Sequence, residues 1–340
     1  MKPKTRVADD LHLSHLSGAK KATDKKYKEA LKEIDRLHRE QEEVFKVKRT
    51  IQTFSINATT GRRDAGSSET TPIILASDWH IEEMVDPDTV SGMNEYNLDI
   101  SKARSVQFFQ SVARLVEIFK QDTTIKQAVI GLLGDFFSNN IHDELTESNL
   151  LLPGDACWTA QQYIASGLKF LLENTDLTFV LVCHSGNHAR VTKKVHVSTE
   201  AGNSLEKYMY RNLAEYFRNE KRLKFIIAEG QHSYIKVYNL TVRFLHGHSI
   251  RYNGGVGGIT IPARKAIAQW DKMRKADLTC FGHFHSRLDA GDFVCNGSLI
   301  GYNAFALSIK ADYEPPAQQF ILVSNYKGGR KEGILPVRVE

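Results

Sequence analysis

The chemistry-bearing residues of this chain fall into five short motifs: Asp78-Trp79-His80, Gly134-Asp135, Gly186-Asn187-His188, His246-Gly247-His248 and Gly282-His283-Phe284-His285. Each follows an apolar run: Ile-Ile-Leu-Ala-Ser, Val-Ile-Gly-Leu-Leu, Val-Leu-Val-Cys, Val-Arg-Phe-Leu and Leu-Thr-Cys-Phe, in that order. Carboxylate, amide and imidazole donors mixed in this way suit Mn²⁺, Fe or Zn²⁺ better than Ca²⁺ or a thiolate zinc site. In Asp-x-His and His-x-His near a strand end, residues i and i+2 can project to one side and reach a common ion. A glycine ahead of Asp135, Asn187 and His283 lets the backbone turn sharply, so that the next side chain points into a crowded pocket. One histidine beside an apolar strand is ordinarily a core or capping residue, and Gly-Asp ordinarily marks a turn. Five such motifs, each after its own strand, set that reading aside for the group as a whole.

The elements that must position these motifs are legible in the same pattern. Apolar, β-branched runs predict strands at 73–77, 128–133, 178–183, 224–227, 233–238, 242–245, 278–281, 293–296 and 319–323. Helical periodicity predicts helices at 101–120, 157–173, 201–218 and 262–274. The alternation requires an α/β layered fold, and the close succession of later strands adds a second, partly antiparallel sheet. The expected architecture is a two-sheet β sandwich flanked by helices, with an N-terminal helical extension. Ligands in open α/β sheets bind beyond the C-terminal strand ends, where all five motifs fall.

Residues 24–49 are rich in Lys, Glu, Arg and Leu, with Tyr27, Leu31, Ile34, Leu37, Val44 and Phe45 near helical spacing, which predicts one long amphipathic helix. A Gly, Ser, Thr and Asn-rich stretch follows. The expected organisation is a basic helical extension over 1–54, a linker over 55–71 and a catalytic domain over 72–340. The net charge of +5 resides in the leader: residues 1–70 hold 16 Lys and Arg against 11 Asp and Glu, and the remainder holds 29 of each. Such an extension either attracts a polyanion such as nucleic acid or pairs its charges along a solvated helix. It also makes a second copy of the chain a candidate partner, through this helix or the catalytic domain. The 41% of hydrophobic residues suffice for a large core. No run of 18 apolar residues or apolar signal region occurs, so a cytoplasmic protein with no membrane partner is expected. Cys157, Cys183, Cys280 and Cys295 have no CxxC spacing and read as reduced thiols.

The ordered series DWH, GD, GNH, HGH and GHFH resembles the calcineurin-like metallophosphoesterase superfamily over residues 73 to about 325. The strings Asn94-Glu95-Tyr96-Asn97, the glycine-rich 253–258 and Asn296-Gly297-Ser298-Leu299-Ile300-Gly301-Tyr302 resemble a phage and prophage branch, which would place the protein in a bacterial host cell. More distantly the chain is similar to the nuclease subunits of double-strand-break repair complexes. The resemblance implies two divalent metal ions, Mn²⁺ favoured over Fe, Zn²⁺ or Ni²⁺. One would be held by Asp78, His80 and His285, the other by Asn187, His246 and His283, with Asp135 bridging both. His188 would then protonate the leaving oxygen or stabilise charge on the phosphoryl group, and Asp135 joins it as a candidate catalytic residue.

The implied activity is hydrolysis of phosphodiester bonds, with DNA as the expected substrate. A phosphomonoesterase, a phosphodiesterase of small or cyclic nucleotides, and a nucleic-acid-binding protein that keeps the fold without turnover are the alternatives. Substrate contacts are expected from Arg190, Arg251, His248 and Asn139, from exposed amides of the glycine-rich loop, and by stacking on Trp79, Tyr96 or Tyr302. The third motif continues Ala189-Arg190 where the family often has an acidic residue. The orienter of His188 must therefore come from elsewhere, with His184 a candidate.

Overall fold

The computed structural model describes residues 68–252, 258–308 and 310–340, with Ser55, Ile56 and ten positions between Lys21 and Arg36. Contacts divide the chain into two units, Met1–Thr50 and Ile51–Glu340. In the first, the described residues are helical and exposed, and Lys25–Glu29 and Arg36–Glu33 pair along the helix surface. Tyr27, Ile34, Leu37, Val44 and Phe45 of the expected stripe lie outside the described residues.

The second unit contains β1 (Ser55–Ile56), β2 (Ser68–Ala76), α1 (Leu98–Lys120), β3 (Thr123–Thr124), β4 (Gln127–Leu132), α2 (Leu145–Ser148), α3 (Pro153–Asn174) and β5 (Thr178–Cys183). These are followed by α4 (Leu205–Tyr216), β6 (Leu223–Ile227), β7 (Ser233–Val237), β8 (Leu240–Phe244), α5 (Thr260–Trp270), β9 (Leu278–Phe281), β10 (Leu288–Asp289), β11 (Phe293–Cys295), α6 (Ala304–Ser308), β12 (Ala317–Ser324) and β13 (Arg330–Arg338). One sheet runs β13-β12-β2-β4-β5-β6, with β3 beside the start of β2; the other runs β1-β7-β8-β9-β11-β10. The β2-β4-β5-β6 core of the first sheet is parallel, as is β8-β9-β11 in the second.

Strand alternation sorts the side chains into layers. Ile73, Leu75, Val129, Val180 and Val182 pack between the sheets against Ile235, Val242, Phe244, Leu278 and Val294. Ile74, Ala76, Ile130, Leu132 and Leu181 face the other way, onto Phe108, Val112, Ile164, Leu168 and Leu213 of α1, α3 and α4. A third cluster joins Ala263 and Ile267 of α5 to Phe281, Phe293 and Cys295 behind the second sheet. The result is the expected α/β architecture, a two-sheet sandwich flanked by helices. Asn97 caps α1 by accepting from the Ile100 amide at 3.0 Å, and Pro153 sits in the first turn of α3.

The differences from the sequence reading have local causes. Strand β13 was not expected, because Gly333 and Pro336 break its pattern; an edge strand paired only with β12 tolerates both. Both ends of the stretch read as linker are in strands: Ser55–Ile56 pair with β7, and β2 starts at Ser68 with Thr70 and Thr71 opposite Ser324 and Val323. All four cysteines are free thiols. Among the described residues no helix is long and apolar enough to cross a membrane.

Candidate metal centre

The five motifs begin at or just past the C-terminal ends of β2, β4, β5, β8 and β9, three in one sheet and two in the other. Their backbones are not strand-like. Asp78, His80, Asp135, His283 and His285 all have left-handed φ, between +46° and +70°. Each such non-glycine residue costs of order 1–3 kcal/mol and persists only where the surroundings force it. The i, i+2 convergence expected from a pleated strand therefore arises differently, from paired left-handed residues in loops. The glycines also serve a second purpose. Gly134 has the expected positive φ of +92°, but Gly186 and Gly282 matter for space: a Cβ would stand 2.0 Å from Asp135 Oδ1 at Gly186 and 2.4 Å from Asp78 Oδ2 at Gly282.

Side-chain donors converge in three overlapping groups, each with ligand atoms within 4.8 Å of one another: Asp78, His80 and His285; Asp135, His246 and His283; and His80, Asp135 and His188. Asp135 belongs to two of them. Asn187 joins the second, its Oδ1 lying 3.1 Å from His246 Nε2. His246 Nδ1 donates to the Leu133 carbonyl at 2.7 Å, while its Nε2 faces Asp135 Oδ2 at 2.9 Å and Asn187 Oδ1. A neutral imidazole with its proton on Nδ1 has none for those two oxygens, so three lone pairs meet unless a cation or an imidazolium separates them. Burial opposes the imidazolium, yet Asp135 raises His246 to about 10. Burial likewise opposes ionisation of Asp135, but His246, His188 and His80 together hold its carboxyl well below the usual range. Burial, with the neighbouring histidines, keeps His80 and His283 well below the ordinary imidazole value and so neutral. His80 Nε2 is buried without a partner. An orphaned nitrogen, a convergent set of carboxylate, amide and imidazole donors, and strained backbones at the donor residues all fit bound divalent cations.

Further residues aim the donors, and the sequence reading did not single them out for this. Ser138 Oγ lies 2.7 Å from His80 Nδ1 and donates to Glu83 at 2.8 Å. Ser77 Oγ donates to Asp78 Oδ2 at 2.5 Å and accepts from Asn296, while Gln318 Oε1 accepts from the Ser77 amide and from Asn296. Glu206, fully buried at the start of α4, accepts from the amides of Phe136 at 2.8 Å and Gly186 at 2.7 Å, tying together the loops that carry Asp135 and Asn187. Burial and the charge of Asp135 push this carboxyl up to about 8. In the sequence it is one acid within the helix predicted over 201–218, and only tertiary contacts distinguish it.

His188 reaches the centre: its ring is 4.8 Å from that of His80, and its amide donates to Asp135 Oδ1 at 2.8 Å. Its orienter is the Ser138 carbonyl, 2.9 Å from Nδ1, rather than His184, which is buried apart with Nε2 unpartnered. That contact leaves Nε2 as the nitrogen free for chemistry. Asn139, expected to contact substrate, is nearly buried and donates to the carbonyls of His188 and Arg190, both at 3.0 Å, so it shapes the loop instead. Arg190 is half-buried on the rim and donates to the Asn187 carbonyl; its Nε has no partner. His248 stands 2.8 Å from Glu200, outside the donor groups, with its ring 5.5 Å from that of His246. Arg251 is exposed, and the glycine-rich loop beyond it lies outside the described residues except for Gly258.

Trp79 and Tyr96 are fully buried, which excludes stacking on a base. Trp79 packs edge-on against Phe108, Phe109 and Phe136, and the Tyr96 hydroxyl donates to its carbonyl. Tyr302 is half-buried, with its ring 6.2 Å from that of Tyr313. The two strings noted around Asn94 and Asn296 meet in space. Asn94 and Arg104 donate to carbonyls of Leu299, Ile300 and Tyr302, and the Leu299 amide in turn donates to the Asp78 carbonyl.

Neither a family model nor a curated protein matches the chain. Among solved structures, a hypothetical protein from Pyrococcus horikoshii OT3 is 14% identical, with 79% of this chain and 89% of that one covered and a TM-score of 0.39. Vps29 of Chaetomium thermophilum is 12% identical over 74% of this chain and 84% of its own, with a TM-score of 0.30. The calcineurin-like phosphoesterase YfkN from Bacillus subtilis is 11% identical over 79% and 91%, with a TM-score of 0.27. Likenesses this distant leave the functional reading to the centre itself.

Proposed function

We propose that this chain is a phosphoesterase that works with two divalent cations and cleaves phosphodiester bonds in nucleic acid, DNA foremost. The observation that carries this reading is Asp135, whose carboxylate is shared between a donor group containing His80 and one containing His246 and His283. Asp78, His80 and His285 would hold one ion and Asn187, His246 and His283 the other, with Asp135 between them. The oxygen and nitrogen donors, without thiolate, favour Mn²⁺, with Fe, Zn²⁺ and Ni²⁺ as alternatives. Such a pair supplies acidified water and withdraws charge from the phosphate oxygens.

The protein's own residues then order the reaction. Ser138 holds His188 with Nε2 free, placing it to give a proton to the departing alkoxide. Nucleic acid is favoured over a small nucleotide by the basic run after His188, Arg190, Lys193 and Lys194, with no acidic residue before Glu200.

The test strips the full chain with a chelator and restores Mn²⁺, Fe²⁺, Zn²⁺ or Ni²⁺ singly. Hydrolysis is then compared on bis-p-nitrophenyl phosphate, p-nitrophenyl phosphate, cyclic nucleotides and single- and double-stranded DNA. Metal-restored cleavage of the aryl diester and of DNA is expected. Turnover of the monoester alone would move the reading to a phosphomonoesterase, and turnover of nothing with any metal would sink it.

A further inference from the structure

Beyond His188 the chain forms a loop that the chemistry at the metal centre does not use. Its stem is closed by main-chain bonds: Val191 donates to Asn203 at 2.9 Å, Leu205 donates to Ala189 at 2.9 Å, and Arg190 pairs with Ser204. Asn139 fixes the near side through the carbonyls of His188 and Arg190. On the far side Glu200 stands 2.8 Å from His248, in the motif that supplies His246. The stem of the loop is thus fastened beside the centre while residues 193–199 stand in solvent.

Its composition is one-sided. From Ala189 to Thr199 it holds Arg190, Lys193, Lys194 and His196 and no acidic residue. Lys193 and Lys194 are exposed and make no ion pair with a carboxylate among the described residues. The Arg190 Nε–H is buried without an acceptor, and its guanidinium lies near enough to feel the charge of Asp135. Val191 and Val197 add exposed apolar surface, 61% and 71% accessible. On another side of His188 the charge has the opposite sign: His142, its ring 6.1 Å from that of His188, precedes the acidic residues Asp143, Glu144 and Glu147.

We infer that the loop over residues 190–197 is an arm that holds the phosphates flanking the scissile bond of a nucleic-acid strand, with Lys193 and Lys194 as its phosphate contacts. The arm deepens the phosphodiesterase reading and rests on it. The asymmetry gives the strand a course: it runs along the Arg190–Lys194 side and is repelled by the Asp143–Glu147 side. An aryl diester has no flanking phosphate and so does not engage the arm.

The experiment compares the full chain with its Lys193→Glu/Lys194→Glu double variant. Three quantities are read: kcat/KM on bis-p-nitrophenyl phosphate, KM on a single-stranded oligonucleotide, and oligonucleotide binding by fluorescence polarisation in chelator over a salt series. The expected result is aryl-diester hydrolysis within about twofold, an oligonucleotide KM raised about tenfold or more near 0.1 M salt, and a log–log salt slope shallower by about 1.4, two contacts at roughly 0.7 each. An unmoved oligonucleotide KM and salt slope would overturn the arm, as would equal losses on both substrates. If the wild type hydrolyses neither substrate, the phosphodiesterase reading fails by itself, and the polarisation series still decides whether these lysines hold a strand.

Discussion

Around Asp78 and His80 the donors are held largely by other side chains, with the His283 amide also donating to Asp78, whereas around Asn187 and His246 they are held largely by main chain. In the first group, His80 leans on Ser138, which leans on Glu83 and through it on Asn303; Asp78 leans on Ser77, Asn296 and Gln318. In the second, His246 donates to the Leu133 carbonyl, and the Asn187 loop is fixed where Gly186 donates to Glu206. A carbonyl at a strand end neither rotates nor titrates, so it fixes the imidazole's tautomer as rigidly as the sheet itself. A hydroxyl relay gives the same orientation but can be dismantled one atom at a time. The first group should therefore weaken in graded steps, and the second only through its donors or Glu206.

Asp135 is the point at which the comparison breaks down, since both groups need it. Asp135→Ala is expected to lower aryl-diester hydrolysis roughly a thousandfold and to release both cations. Metal analysis after dialysis, read beside the rate, checks it; retention of both equivalents would deny that the carboxylate is shared.

Glu206 tests the main-chain half. Glu206→Gln keeps one acceptor oxygen but turns an NH₂ toward the second backbone amide, and should cost about 10–100-fold in affinity for one cation. Glu206→Ala leaves two buried amides without acceptors and adds a stability loss of about 1–3 kcal/mol for each. Competition with a chelating dye resolves the two affinities. Equal weakening of both ions would erase the distinction between the halves.

How much of this could be read from the sequence follows from which contacts are local. The strands carrying the motifs lie close to their expected positions because an apolar run followed by Asp or His is a local pattern, and the donors converge because each strand ends on the same side. Arrangements made by tertiary contacts were hidden. The role of Glu206 depends on amides 70 and 20 residues away, and Ser138 replaces His184 as the orienter of His188 through a carbonyl that carries no side-chain signature. Asn139 sits four residues past Asp135, where proximity suggested substrate, and its amide was already committed to two carbonyls. Trp79 lies between two donors in sequence yet packs into the helix-side core, because it sits between the left-handed residues Asp78 and His80, whose side chains turn toward the centre.

Ser138 sharpens the comparison further, because its two ends serve different groups. Its hydroxyl positions His80, and its carbonyl positions His188. Ser138→Ala removes only the first, so affinity for the cation at Asp78, His80 and His285 should fall about tenfold while the second ion is held as before. The dependence of rate on leaving-group pKa, measured with a series of aryl methylphosphonates or diesters, should stay as in the wild type. A steeper dependence would mean that the hydroxyl also serves His188.

The smallest expected effect on chemistry comes from the outermost link, Gln318, which reaches Asp78 only through Ser77 and Asn296. Gln318→Leu should change the rate by less than about tenfold, since Ser77 can still donate to Asp78. It should cost more in stability, about 1–3 kcal/mol, because the Ser77 amide and an Asn296 N–H lose their acceptor in a buried place. Urea unfolding with and without Mn²⁺ separates the two. A stability loss that vanishes when the metal is bound would show that the relay is braced by the cation it positions, and a rate loss larger than that of Ser138→Ala would reverse the order of support within the first group.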